Sequence, residues 1–376
     1  MQGKFLVALI SLLLVFYSFL SPEVKNQDKP LKGKWDFQLQ KVWMVEEAGD
    51  EPFAKPRDLQ VADDGTIFVY DMKNFKCYSF TNDGKLIAAF APRGEGPGEI
   101  KRFMKGYVVK NTLIIGDIDR LNYFSKDGKL IKSVSNLFMS KWPHYFFNED
   151  EFIYFPLLML PGSSGNSGKI YRFNLKTGDE KVLAEFQLFK GGQAQDKGRR
   201  VALVIPPLTP MIHIGYGPDK FYYGFSESYE INVADYNGKK LDSFSLERPK
   251  RKVTTEVKKA YFKLLSLPRA GDDMLTTIMN SYPDELTHFC RIDVHNKLIY
   301  VYATNLARSV EKQEIDIFSP EGKYLYKADL SGGKGYGIFV SPTPVLVIKG
   351  DYLYAALEGE NDEPVIAKYK IQLPKL

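Results

Sequence analysis

Between Pro56 and Glu99, four short runs of β-branched and aromatic residues follow one another with little but turn residues between them. Arg57-Asp58-Leu59-Gln60-Val61 leads through Asp64-Gly65 to Thr66-Ile67-Phe68-Val69-Tyr70. Lys73-Asn74 then leads to Phe75-Lys76-Cys77-Tyr78-Ser79-Phe80, and Asn82-Asp83-Gly84 turns that run onto Lys85-Leu86-Ile87-Ala88-Ala89-Phe90. Such runs, punctuated by Gly, Asp and Asn, are strands joined by hairpins. A single four-stranded meander cannot bury both of its faces, so it requires copies of itself on either side. That requirement constrains the fold more than any other feature of the chain.

The copies are present. The Asp83-Gly84-Lys85 turn returns as Asp127-Gly128-Lys129, Asn237-Gly238-Lys239 and Glu321-Gly322-Lys323, with a degenerate form at Thr177-Gly178-Asp179. Glycine supplies the positive φ that these turns need. The early turns stand roughly 40–50 residues apart, the period of propeller blades, and insertions lengthen the later intervals. Second strands recur in six places: Thr66–Tyr70, Thr112–Gly116, Phe152–Phe155, Phe221–Tyr223, Leu298–Tyr302 and Tyr352–Ala355. The sixth unit ends after its third strand, Val365–Ile371, and an unassigned strand, Trp35–Trp43, precedes the first. Pairing the two removes two open edges. The expected fold is therefore all-β: a six-bladed β-propeller with four-stranded antiparallel blades, closed by the N-terminal strand, spanning 35–376 as one domain.

Two stretches break the period. Gln187–Met211, with Gly191-Gly192 and Pro206-Pro207, reads as a long loop. Thr254–Leu267 reads as one inserted helix with Val257, Ala260, Tyr261, Leu264 and Leu265 on one face. Segments between blades sit over one mouth of a propeller, where sites are commonly built.

Residues 1–21 differ from the rest. Lys4 precedes an apolar run from Phe5 to Phe16 that extends to Leu20 and stops at Pro22. A basic start and a short apolar core describe a secretory signal peptide, or an anchor if it is retained. The chain is expected to be exported, to the bacterial periplasm, envelope or exterior, and to touch membrane only through this segment. Cys77 and Cys290 fall in the third strand of the first unit and the first strand of the fifth, too far apart to bridge. Buried free thiols are the expectation, and a large core needs no disulfide. The net charge of +5, from 51 basic and 46 acidic side chains, is small and scattered, so nucleic acid is not expected as a partner. A monomer binding a protein, peptide or small molecule is.

The first unit ends in Arg93-Gly94-Glu95-Gly96-Pro97-Gly98-Glu99. With the Asp-Gly turns, this stretch resembles the blade-linking loop of the NHL-like six-bladed propellers exported by many bacteria. The resemblance implies the fold; on function it leaves binding modules, scaffolds, lactonases and lyases all open. The glycines do not make a dinucleotide fingerprint, because the following Lys101-Arg102-Phe103-Met104 leads into a strand instead of a helix.

First strands line the central channel, so their polar residues converge. His144 and His213 stand at equivalent places, seven residues before Glu151 and Lys220, and Arg291 takes that place in the fifth unit. His288 lies nearer the start of that strand, and His295 falls in an exposed turn. Neutral imidazoles bind Zn²⁺, and propeller-type amidating lyases, which the chain resembles, hold zinc by three channel histidines; His144, His213 and His288 are the candidate ligands. Polar wall residues without a metal are the alternative. The acidic pairs at Asp63-Asp64, Asp117/Asp119, Glu149–Glu151 and Asp272-Asp273 sit at turns, where carboxylates cap backbone, with Ca²⁺ as the other reading. Arg57, His144, His213 and Arg291 are the candidate ligand-binding residues at the channel mouth, and Lys105 and Arg120 extend a basic rim. No Gly-x-Ser-x-Gly elbow or reactive cysteine context is present. The expected function is a binding or interaction module, with a metal-dependent lyase or hydrolase as the alternative.

Overall fold

The computed structural model describes residues 23–135, 141–155, 167–187, 193–196, 199–203, 210–255, 258, 283–305, 309–340 and 343–376. Six antiparallel sheets form the ring of a β-propeller. Blade 1 consists of Pro56–Val61, Ile67–Asp71, Lys76–Phe80 and Leu86–Phe90 in that order from the axis outwards. Blade 2 repeats the pattern with Lys105–Val109, Thr112–Gly116, Arg120–Phe124 and Leu130–Ser135. The innermost strands of blades 3, 4 and 5 are Pro143–Asn148, Ile212–Tyr216 and Phe289–His295. Blade 6 splits that place between Gly337–Phe339 and Leu346–Lys349, both paired with Tyr352–Glu358.

The ring closes as the repeat count requires. Gln40–Val45 pairs antiparallel with Pro364–Lys370, from Gln40 opposite Lys370 to Val45 opposite Ile366. The strand expected over Trp35–Trp43 is in fact two. Lys34–Trp35 lies parallel to the outer strand of blade 5, Tyr324–Ser331. The break between them is an Asx turn, in which the Asp36 carboxylate accepts from the Gln38 N–H at 2.9 Å and Gln38 takes a φ of 48°. Val24–Gln27 runs parallel to the outer strand of blade 4, Lys240–Glu247. The N-terminal segment is thus a strap over the outer edges of three consecutive blades, and the folded ring begins at Val24, ahead of Trp35.

The strap is tied in by polar side chains. Asn26 Nδ2 donates to the Ser245 and Gly322 carbonyls, and Asn26 Oδ1 accepts from the Tyr324 N–H. Asp28 pairs with Arg248, which grips Asp316 between blades 4 and 5 while Tyr229 and Tyr324 donate their hydroxyls to the same carboxylate.

Apolar residues of facing blades fill the wedges between sheets. The wedge of blades 5 and 6 holds Tyr300, Tyr302, Ile315, Ile317, Leu357 and Val365, all fully covered. Cys77 and Cys290 are buried free thiols in different blades. The Gln187–Met211 insertion is more than a loop: Gln193–Asp196 and Arg199–Leu203 form a short antiparallel hairpin. Of the expected helix over Thr254–Leu267, Thr255 and Lys258 are helical, with the Lys258 N–H bonded to Thr254 O, and the remainder lies outside the described residues. Residues 1–22 and the Asp272-Asp273 pair lie outside them too.

Candidate functional site

Every innermost strand starts at the same mouth of the ring, so residues near those starts share one depth. At the end of the second strand in blades 1, 2, 4 and 5, a polar side chain holds the chain arriving there. Asp71 accepts from the N–H groups of Ala54 and Lys55, and Asp117 from those of Lys101 and Arg102. Ser226 accepts from Met211, and Thr304 shares a hydrogen bond with Thr287 at 2.8 Å. Asp117 was expected to bond its own turn; it does so through Ile118 and also holds the incoming connection. Blade 3 has Phe155 at this place, and His144 lies against its ring.

The strand starts enclose a channel of about 720 Å³ lined by Arg57, Asp58, Lys105, His144, His213 and Arg291 together with aliphatic and aromatic residues. All four expected ligand-binding residues, Arg57, His144, His213 and Arg291, are therefore channel residues. The expected metal set is not assembled. His288 is outside the channel lining, with its ring 5.5 Å from Tyr229 and its N–H bonded to Ser226 O. Its neighbours Thr287 and Phe289 both line the channel, so in this extended stretch the side chain between them points the other way, toward Tyr229. Among the described residues, no three His, Cys, Asp or Glu side chains gather to hold a metal.

The acidic turns are occupied by protein. Asp63 pairs with Lys349, Asp64 with Lys126, Asp150 with Lys132 and Lys176, and Glu151 with Arg172. His295 is not in a free turn: it ends its strand half-buried, with Nε2 3.2 Å from Gly350 O.

The arginines divide. Arg291 donates to both oxygens of Asp293, at 2.8 Å and 2.7 Å, and to the carbonyls of Pro344 and Leu346. Burial works against its charge, but Asp293 and Tyr302 hold its pKa above the ordinary value. Arg291 therefore clamps blade 5 to blade 6. Arg120 is not on the channel rim. It binds the Glu95, Gly96 and Glu99 carbonyls and so secures the glycine-rich loop. Glu99 folds back in that loop to accept from Gly96 N–H at 2.8 Å, and a Cβ on Gly94 would stand 2.0 Å from Glu99 Oε2.

The remaining channel groups are under electrostatic strain. Burial lowers the His144 pKa well below the ordinary imidazole value, and Lys105 and His213 add to the shift. Burial alone brings His213 down to about 4. Both rings are neutral at physiological pH. Burial raises Asp58, although its carboxylate accepts from Gly106 N–H at 2.6 Å and from Gln60 Nε2 at 2.8 Å. Burial lowers Lys105, opposed by Asp58 and reinforced by Arg291. His144 Nε2, Tyr216 OH and Tyr300 OH, all on residues lining the channel, are buried without a hydrogen-bond partner in the protein. Buried polar atoms are nearly always paired, so a group of orphans around one cavity marks a place for a polar guest.

Sequence reasoning found the histidines because they are rare and fall in register. It missed Asp58, Tyr216 and Tyr300, which resemble the ordinary Asp and Tyr of a strand-rich chain. The strand period does hold a signal for them, since Asp58 sits within a recognised first strand and Tyr300 within a second.

No protein-family model matches the chain, and neither does any curated protein. Among solved structures, a member of the DUF4221 family from Bacteroides vulgatus is similar over 90% of this chain and 99% of its own, with a TM-score of 0.55 and 12% identity. A streptogramin B lyase matches 89% of this chain and 98% of its own, with a TM-score of 0.46 and 13% identity. A gluconolactonase from Xanthomonas campestris matches 90% of both chains, with a TM-score of 0.46 and 10% identity. At 12% identity the likeness to the DUF4221 structure shows the fold alone and nothing of the chemistry.

Proposed function

We propose that this protein is an exported propeller of the NHL-like kind that works as a binding module, taking its ligand into the central channel through the mouth where the innermost strands begin. The observation that carries the reading is the cluster of unpartnered His144 Nε2, Tyr216 OH and Tyr300 OH around a cavity of about 720 Å³. That volume suits a small molecule or one side chain of a peptide. The apolar run at residues 5–20 supports export, and the Glu99-bound glycine loop supports the NHL-like kind. The test is a thermal-shift screen of the full-length protein against small acids, sugars and peptides, repeated on His144→Phe. A ligand that stabilises the protein and loses that effect in the variant supports the reading. Ligands that act equally on both place the site elsewhere.

A second reading, a metal-dependent lyase or hydrolase, is favoured by two neutral imidazoles on adjacent blades, His144 and His213, of which His213 adds to the lowering of His144. Zn²⁺ or Ca²⁺ would need further donors, and the placement of His288 does not fit a three-histidine site. Elemental analysis of the purified protein and of His213→Ala decides it: stoichiometric metal lost in the variant supports the reading, and equal or absent metal rejects it.

A further inference from the structure

We infer that the channel ligand carries an oxyanion, a carboxylate or a phosphate, seated between the ammonium of Lys105 and the Nε2 of His144. The inference rests on the channel-binding reading above and specifies its ligand.

Charge on the channel wall leads to this choice. The wall holds two carboxylates, Asp58 and Asp293, and both are engaged by protein donors. Asp293 is spent on Arg291 through both oxygens. Asp58 accepts from Gly106 N–H and Gln60 Nε2, and acts on Lys105 through its charge without an ion pair. Arg291 is itself consumed by Asp293 and the carbonyls of Pro344 and Leu346. Lys105 is different. It opens the innermost strand of blade 2 and lines the cavity, yet no hydrogen bond or ion pair to its Nζ occurs among the described residues. Its Nζ lies 5.5 Å from the centroid of the Tyr107 ring. A lysine in such a place retains its proton most readily when an anion lies beside it.

His144 supplies the second contact. Its ring is fixed flat on Phe155, with 3.6 Å between centroids and 14° between planes. That stacking sets the direction of Nε2, which is buried and unpartnered. In the tautomer carrying hydrogen on Nε2, a neutral imidazole donates one bond, which is what an oxyanion oxygen accepts. Tyr300 is fully covered, and its orphan hydroxyl is a further donor from blade 5. Lys105, His144 and Tyr300 thus line one cavity from three blades, and the ammonium among them favours an anionic guest. The cavity exceeds the volume of one oxyanion, so the remainder of the ligand extends along the aliphatic wall at Ile214 and Leu346.

The experiment is isothermal calorimetry on the full-length protein with inorganic phosphate, succinate and the neutral succinamide as probes. Wild type, Lys105→Met and His144→Phe are compared, with Lys105→Arg as the charge-retaining control should Lys105→Met fail to fold. Binding of phosphate or succinate that weakens at least tenfold in Lys105→Met and His144→Phe, and survives in Lys105→Arg, supports the inference; which probe binds tells phosphate from carboxylate. Equal binding to Lys105→Met overturns it, as does failure of both oxyanions at 10 mM. If succinamide binds as well as succinate and depends on His144, the channel is a binding site but its ligand is not an anion.

Discussion

His144 stacks on Phe155 at 3.6 Å, in the one blade where an aromatic ring replaces the polar cap that holds the incoming chain in blades 1, 2, 4 and 5. The exchange frees the imidazole from structural duty and leaves its Nε2 without a partner in the protein. A residue whose buried polar atom does nothing for the fold is one whose loss the fold should tolerate.

His144→Phe is accordingly expected to keep or raise stability, by up to about 1 kcal/mol, since it removes an unsatisfied buried nitrogen and retains the stacked ring. Chemical denaturation of the variant checks this. A loss above about 2 kcal/mol would mean that Nε2 is bonded within the protein after all.

The strap allows a sharper contrast. Asp316 is buried and holds Arg248, Tyr229 and Tyr324, whereas Asp28 meets the same Arg248 from a more exposed position. Asp316→Ala leaves the half-buried Arg248 only the more exposed Asp28 and strips the acceptor from the Tyr229 and Tyr324 hydroxyls, and should cost about 3 kcal/mol. Asp28→Ala should cost no more than about 1 kcal/mol. Urea denaturation of the two variants separates them, and equal losses would contradict the assigned network.

The repeat turns offer another. Gly178 and Gly322 both have positive φ, 75° and 84°, but nothing lies within 4 Å of a Cβ built on Gly178, whereas one on Gly322 would meet Phe244 at 2.5 Å. Gly178→Ala should cost roughly 1–2 kcal/mol for the left-handed backbone alone. Gly322→Ala adds an overpacking penalty of about 1–3 kcal/mol. Thermal melts of both proteins test the difference.

Acid should weaken the fold through the channel histidines. His213 has a folded pKa of about 4 against 6.5 for the ordinary value, and His144 is shifted the same way. The unfolded chain therefore binds protons that the folded chain refuses. Their contribution is complete above pH 6.5 and is lost as pH falls toward 4, on the order of 3 kcal/mol for His213. Asp58, raised by burial, works in the opposite sense, so the comparison with His213→Phe isolates the histidine part. The variant's stability profile should be flatter between pH 6.5 and 4; parallel profiles would refute the assignment.

The ring could be read from the chain because strands and Gly turns are local signals, the second strand appearing six times and the turn five, and one missing strand had one unassigned partner. Val24–Gln27 and Lys34–Trp35 were not legible in this way. They pair in parallel with strands far along the chain, and Val-Lys-Asn-Gln has no alternation to announce an edge strand. In the site, register brought out His144, His213 and Arg291. It could not show that Arg291 would be fully bonded and Lys105 not: Arg291 also takes the Pro344 and Leu346 carbonyls of the next blade, whereas the carboxylate near Lys105, Asp58, takes the Gly106 N–H instead. Nor could it show that His288, between the channel residues Thr287 and Phe289, faces Tyr229 instead of the axis.

With His144, His213, His288 and His295 the only histidines, imidazole NMR of the protein, labelled at histidine and titrated with phosphate or succinate, reads the channel directly. The account predicts that the His144 signals move most and its pKa rises on binding, that His213 follows weakly, and that His288 stays where it was. Movement of His288 with His144 unaffected, or no movement of any ring at saturating oxyanion, would contradict it.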